Sequence, residues 1–144
     1  MIAIGCDAAD AAYAEFKRRG VPVEAPRRLE RDVFVCAPDA RTTAGKFASL
    51  FETAAEPAAE GEWRLALARG SIRVVTPAAW AQWAPAAPTP PPPSPVGIGF
   101  RVASIAATRS LLASRGVEVS DGRDRGIWVG PADACGAALY FFED

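Results

Sequence analysis

The chain has 144 residues, half of them hydrophobic and 23% charged, the profile of one globular domain with room for a core. Its net charge is −1, and its densest basic stretch, Arg27-Arg28 with Arg31, is too short for a nucleic-acid footprint, so no nucleic-acid partner is expected. No run of about 18 apolar residues exists, and Met1-Ile2-Ala3-Ile4 lacks the basic start and long apolar core of a signal peptide, so no membrane association is expected either.

Ile2 to Gly5 reads as a short strand, followed by a helix capped by Asp7 and closed by Gly20, then by the extended Val21-Pro22-Val23. The same pattern returns 96 positions later without a gap, Ile2 matching Ile98, Phe16 matching Leu112 and Gly20 matching Gly116. Such repetition of a small unit points to a fold built by duplication. A further unit starts with the strand Val33–Cys36. Asp39 then caps a helix in which Ala44, Phe47, Leu50 and Phe51 recur at helical spacing. Residues 54–61 read as a loop. Glu62–Leu67 alternates polar and apolar residues as a half-buried strand does, Arg69-Gly70 turns, and Ser71–Val75 returns.

Residues 85–95 hold seven prolines in eleven positions, an extended spacer on the order of 30 Å long. Beyond it Ile98–Val102 is a strand, and Ser104 caps a helix bearing Ile105, Thr108, Leu111 and Leu112 on one side. Gly116 ends that helix. Val117–Val119, Gly126–Val129 and Ala137–Phe142 complete a βαβββ order, with a turn at Asp121-Gly122. The division expected is therefore a partial βαβ copy over 1–31, a first βαβββ-like module over 32–84, a linker over 85–95 and a second module over 96–144. The class is α+β. An alternative division takes residues 2–68 as a ferredoxin-like βαββαβ half beside a lone βαβββ unit.

Three cysteines, Cys6, Cys36 and Cys135, have no metal-like spacing, and their odd number suits a reducing cytoplasm better than a disulfide scaffold. There is no histidine, which removes the usual general base and the commonest neutral metal ligand. Ser-His and Cys-His nucleophile pairs are excluded within the chain.

The paired βαβββ pattern resembles the vicinal oxygen chelate superfamily, which includes glyoxalase, bleomycin-resistance proteins and extradiol dioxygenases. The nearest likeness is to glyoxalase-like domain proteins. It rests on Gly97–Ser104, Leu111–Val117, Trp128–Gly136 and the terminal Leu139–Glu143. The resemblance implies two modules forming a curved sheet, a cup that holds a small ligand and often a divalent metal. It places the metal stations near Asp32, Val74, Gly97 and Tyr140. Of these only Asp32 is an easy ligand, and Glu143 falls on the opposite face of its strand. The resemblance therefore implies no intact metal site, and no cofactor is expected.

Strand alternation then names what faces the cup: Asp32, Phe34 and Cys36 from the first module, and Gly97, Gly99, Arg101, Trp128, Ala138, Tyr140 and Phe142 from the second. The ligand-binding candidates are Asp32, Phe34, Cys36, Arg101, Trp128, Tyr140 and Phe142. Two readings of the aromatics stay open, the wall of a pocket or the filling of a closed core. Cys36 also reads as a small buried hydrophobe, and Arg101 as a surface ion-pair partner. Trp63, Trp80 and Trp83 read as packing or interface residues.

The function these features favour is metal-free binding of a small, partly aromatic molecule. The alternatives are a metal-dependent lyase, dioxygenase or thiol transferase of the same superfamily, and a noncatalytic assembly module. The apolar strands of the partial copy need a neighbour, and a twofold partner is the commonest cover, so a homodimer is expected. Light scattering at micromolar concentration should return twice the 15.1 kDa chain mass; the single-chain mass would refute the dimer.

Overall fold

The computed structural model of the protein describes residues 18, 31–85, 87 and 91–143. The partial copy expected over 1–31 thus lies outside the described residues, apart from Arg18 and Arg31. The described elements run β1 (Arg31–Cys36), α1 (Ala40–Phe51), β2 (Ala55–Ala59), β3 (Glu62–Leu67), β4 (Gly70–Val75), α2 (Pro77–Trp83), β5 (Ser94–Arg101), α3 (Ile105–Ser114), β6 (Ser120–Asp121), a 3-10 turn over Arg123–Arg125, β7 (Ile127–Val129) and β8 (Ala138–Phe142). The strands make one curved eight-stranded sheet in the order β2-β3-β4-β1-β5-β8-β7-β6.

That order is two copies of one unit laid head to head. In each, the last strand lies parallel to the first, β4 on β1 and β8 on β5. The two first strands then pair antiparallel, with Asp32 opposite Gly99 and Phe34 opposite Gly97. This is the α+β, glyoxalase-like architecture. The ferredoxin-like alternative fails because residues 31–75 already form a complete βαβββ unit, and the second unit is paired to it through β1 and β5.

Local chemistry explains the elements. Asp39 accepts a hydrogen bond from the Thr42 backbone N–H at 2.9 Å and starts α1. Ser104 does the same for α3 through Ala107 at 3.2 Å. Where the structure departs from the pattern, the cause is context. Residues 55–59, read as a loop, are β2, because an edge strand needs only the β3 ladder on one side and can carry Pro57. The second-module strand placed at 117–119 is instead the two-residue β6 at Ser120–Asp121. Leu50 is 71% exposed, since the buried stripe of α1 runs through Ala40 and Ala44, with Phe47 and Ala48 beside it, and Leu50 lies off that face.

The linker also differs. Its first part is preceded by α2, a helix not anticipated, in which Thr76 caps through the Ala79 N–H and Pro77 stands at the first turn. Its last residues, Ser94 and Pro95, belong to β5. Pro95 cannot donate to the ladder, and the β1–β5 register slips there by one residue, between Phe34 and Val35. Val96 is the residue thereby left over, and it is buried in the same cluster as Phe34.

Two apolar clusters sandwich the sheet. On one face Ala40 and Ala44 of α1 cover Leu65, Ile72 and Val74. On the other, Phe34, Cys36, Val75, Val96, Trp128, Ala138 and Tyr140 meet Ala79, Trp80 and Trp83 of α2. Trp80→Ala should cost about 3–5 kcal/mol in denaturant unfolding, as expected for a fully buried tryptophan. Leu50→Ala should stay within about 0.5 kcal/mol, as for an exposed site. Equal effects at the two positions would show that α2 is not part of the core.

Candidate functional site

The cup face divides into an aromatic half and a polar half. Phe34 on β1 sits 5.4 Å from Trp80 and 5.2 Å from Trp83, centroid to centroid, and Trp83 meets Tyr140 edge-on at 5.1 Å. Such tilted and edge-on pairs are the favourable ones for aromatic rings. Gly97 makes this packing possible. A Cβ there would stand 2.9 Å from the Trp80 ring and 3.0 Å from the Ala138 carbonyl. Gly122 plays the same part for Tyr140, whose ring would lie 2.6 Å from an added Cβ. The Tyr140 hydroxyl donates to the Arg123 carbonyl.

The polar half is an ion network. Ser71 Oγ donates to Asp32 Oδ1 at 2.6 Å, and Arg73 Nε donates to Asp32 Oδ2 at 2.8 Å. Arg73 Nη1 reaches Glu62 Oε1 at 2.5 Å. Glu62 Oε2 accepts from Trp83 Nε1 at 3.0 Å and from Arg123 Nη1 at 3.2 Å. The guanidiniums of Arg73 and Arg123 also lie over the Trp83 ring, at 5.1 and 4.9 Å from its centroid. Burial opposes the charge on Arg73, yet the hydrogen bonds and charges of Asp32 and Glu62 outweigh it and hold the guanidinium above its usual pKa.

Beside this network lies a cavity of about 340 Å³, lined by Asp32, Arg64, Arg69, Arg73, Arg101 and Phe142 among others. Strand alternation builds it. Arg64 follows Glu62 by two positions on β3, Arg73 follows Ser71 by two on β4, and Arg69 occupies the turn between these strands. Arg101 ends β5, paired with Phe142 on β8.

Of the seven candidates read from the sequence, Asp32, Arg101 and Phe142 line this cavity. Phe34, Cys36, Trp128 and Tyr140 share the cup face but are all closed in beneath α2. Burial pushes the Cys36 thiol above its ordinary pKa. It also pushes Tyr140 up, to about 12, with the Asp124 charge adding to the effect.

Sequence reasoning missed Glu62, Arg64, Arg69, Arg73 and Arg123. The signal was partly there. The alternation of 62–67 already sets Glu62 and Arg64 on the face opposite Leu65, and that of 71–75 sets Ser71 and Arg73 opposite Ile72 and Val74.

The same alternation corrects one metal station. Val74 faces α1, and the cup-facing residues of β4 are Ser71, Arg73 and Val75. The donor set does not fit a divalent ion. Both oxygens of Asp32 are engaged, one by a guanidinium, Gly97 is filled by Trp80, and Tyr140 donates to a carbonyl. Among the described residues no group of three or more His, Cys, Asp or Glu comes together.

No family model and no curated protein matches the chain by sequence. Solved structures do match in fold. Methylmalonyl-CoA epimerase from Mycobacterium tuberculosis has a TM-score of 0.60 at 17% identity, covering 84% of this chain and 92% of its own. A variant of the Streptomyces coelicolor methylmalonyl-CoA epimerase, in complex with 2-nitronate-propionyl-CoA, has a TM-score of 0.58 at 14% identity, covering 78% and 92%. A hypothetical protein from Bacillus halodurans C-125 has a TM-score of 0.60 at 15% identity, covering 81% and 93%. These epimerases are of the vicinal oxygen chelate superfamily, and the chain shares their glyoxalase-like fold. At such identities the likeness is one of fold.

The raised Tyr140 pKa makes a stability prediction with a definite sign. An unfolded tyrosine ionises near its ordinary pKa of 10.0, while the folded one resists to about 12. Between these values the unfolded state has released a proton that the folded state keeps, so stability is lost as pH rises through that window. The loss should amount to about 2–3 kcal/mol. Urea titrations at pH 9 and 12 should show this fall in the native protein and a smaller one in Tyr140→Phe. Equal falls would place the tyrosine in water.

Proposed function

We propose that the chain is a metal-independent binding protein that holds a small molecule in the cavity at the polar end of its cup, and that it performs no chemistry there. One observation carries this reading: the cavity's lining holds four arginines and a single carboxylate, and that carboxylate is ion-paired. Asp32 anchors Arg73 and accepts from Ser71, and Glu62, held by Arg73, Arg123 and Trp83, lies outside the lining, so the cavity presents no carboxylate free of a cation to act as a base. The Cys36 thiol is buried and its pKa raised, which keeps it from acting as a nucleophile at neutral pH. A metal-dependent lyase, dioxygenase or thiol transferase would need three or more ligands where this chain offers an ion-paired aspartate, an arginine, a glycine and a tyrosine.

The structural neighbours favour a second arrangement to be tested beside this one. They include an epimerase, one of whose variants is in complex with a coenzyme A derivative. An epimerase removes and returns a proton at a stereocentre, and no uncommitted base stands at the cavity to do so. Incubation with methylmalonyl-CoA in deuterated water should therefore give no exchange at the stereocentre. Exchange that is lost in Asp32→Asn would establish catalysis and overturn the binding-only reading.

Two further measurements test the proposal directly. Elemental analysis of the purified protein should find far less than one Zn, Ni, Fe or Mn per chain; a stoichiometric ion would overturn the metal-free reading. A fragment screen by amide NMR should place the shifts of binders around Arg64, Arg69, Arg73, Arg101 and Phe142. Binders whose shifts centre on Phe34, Trp128 and Tyr140 would show that α2 yields to the ligand and that the aromatic half is the site.

A further inference from the structure

We infer that the ligand of this cavity is a small organic anion, a carboxylate or phosphate on a compact apolar body; this deepens the reading of the cavity as the ligand site and rests on it. The chain as a whole is almost neutral, with 16 basic against 17 acidic residues. The cavity is not, for it gathers the guanidiniums of Arg64, Arg69, Arg73 and Arg101 against the single carboxylate of Asp32. That carboxylate is no counter-ion for the group as a whole. Ser71 takes one of its oxygens and Arg73 the other. Arg73 is matched by Asp32 and Glu62, but Arg64 and Arg69 add two like charges at the rim of so small a space, and an entering anion relieves their repulsion.

The four arginines divide by how they are held. Arg73 is the fixed one. Its Nε is tied to Asp32 and its Nη1 to Glu62, and its side chain is only 19% exposed. A guanidinium has five N–H donors in a rigid fork, so the Nη2 end, engaged by neither carboxylate, is presented in a set direction. Arg64 and Arg69 are exposed and lie on and just beyond the end of β3, where they can close on a ligand from the rim. Arg101 and Phe142 stand across from them on β5 and β8. The remaining Arg73 Nη2 together with the rim guanidiniums of Arg64 and Arg69 can offer several N–H donors to one anion, which favours carboxylate and phosphate over halide, because both can accept more than one directed hydrogen bond.

Size and the apolar lining, Leu67 and Phe142 foremost, limit the rest of the molecule. The volume of about 340 Å³ is at the small end for ligand pockets, which run roughly 300–1,000 Å³. The Phe142 ring offers a flat apolar surface to a body of similar shape. The four arginines of the cavity cluster around this one space, a footprint that suits a compact anion better than a long polyanion.

Isothermal titration and amide NMR with three matched probes test this: benzoate, phenyl phosphate and benzyl alcohol. The two anions should bind with shifts at Arg64, Arg69, Arg73 and Phe142. The neutral alcohol should bind at least about tenfold more weakly, the worth of one charge-assisted hydrogen bond. The tighter of the two anions names the charged group. Raising the salt should weaken both, and Arg64→Gln and Arg69→Gln should each weaken them several-fold while leaving the unfolding midpoint in place. Benzyl alcohol binding in the cavity as tightly as benzoate would overturn the anion inference and leave the cavity reading standing. No shift at the cavity with any of the three would overturn the cavity reading, and the inference with it.

Discussion

A buried carboxylate organises the cup face. Glu62 is 1% exposed, and an ion of that kind is tolerable only if its oxygens are fully met. Its partners come from three places in the chain: Arg73 on the neighbouring strand, Trp83 at the end of α2, and Arg123 in the turn before β7. One side chain thus ties the first unit, the connecting helix and the second unit together. Removing it would leave the Trp83 N–H without its acceptor and take one carboxylate each from Arg73, which keeps Asp32, and Arg123, which keeps Asp124. The penalty for a missing partner, more than any net attraction, fixes how α2 lies across the sheet.

The position of α2 in turn breaks the symmetry of the duplicated fold. The two units are equivalent in topology, yet among the described residues a single helix, α2, packs on the shared face, and it covers only part of it. Phe34 and Asp32 on β1 face glycines on β5, Gly97 and Gly99. Gly97 is small because Trp80 is seated on it, and Gly99 is surrounded by Asp32, Phe34 and Phe142. Where the superfamily resemblance implies a metal ligand, this chain has a contact between a helix and a sheet.

This arrangement separates the face into a part that stabilises and a part that can bind. Aromatic rings and α2 close one half against water. The other half keeps a cavity lined by Asp32, Arg64, Arg69, Arg73, Arg101 and Phe142 among others. Arg73 belongs to both. It is held by the carboxylates of the buried network, stacks on Trp83 and also lines the cavity. The cavity therefore borders the group that holds α2 in place, and a ligand bound there as proposed would be reported by Trp83.

The sequence by itself determined what is local. The alternation of β1, β5 and β8 assigns each side chain to a face, the caps at Asp39 and Ser104 start their helices, and the βαβββ repeat dictates the sheet order. The absence of histidine was legible in the same way. Tertiary structure alone decided what those faces meet. Asp32 has the look of a metal ligand until Arg73, 41 positions further on, is laid beside it. Trp128 and Tyr140 suit a pocket wall until Trp80 and Trp83 descend onto them from a helix that the proline-rich stretch concealed. Thr76-Pro77 signalled that helix, but nothing in its seven residues says which face of the sheet it will cover. Side-chain direction follows from backbone geometry within a strand, whereas burial and charge pairing follow from long-range contacts, which no local pattern records.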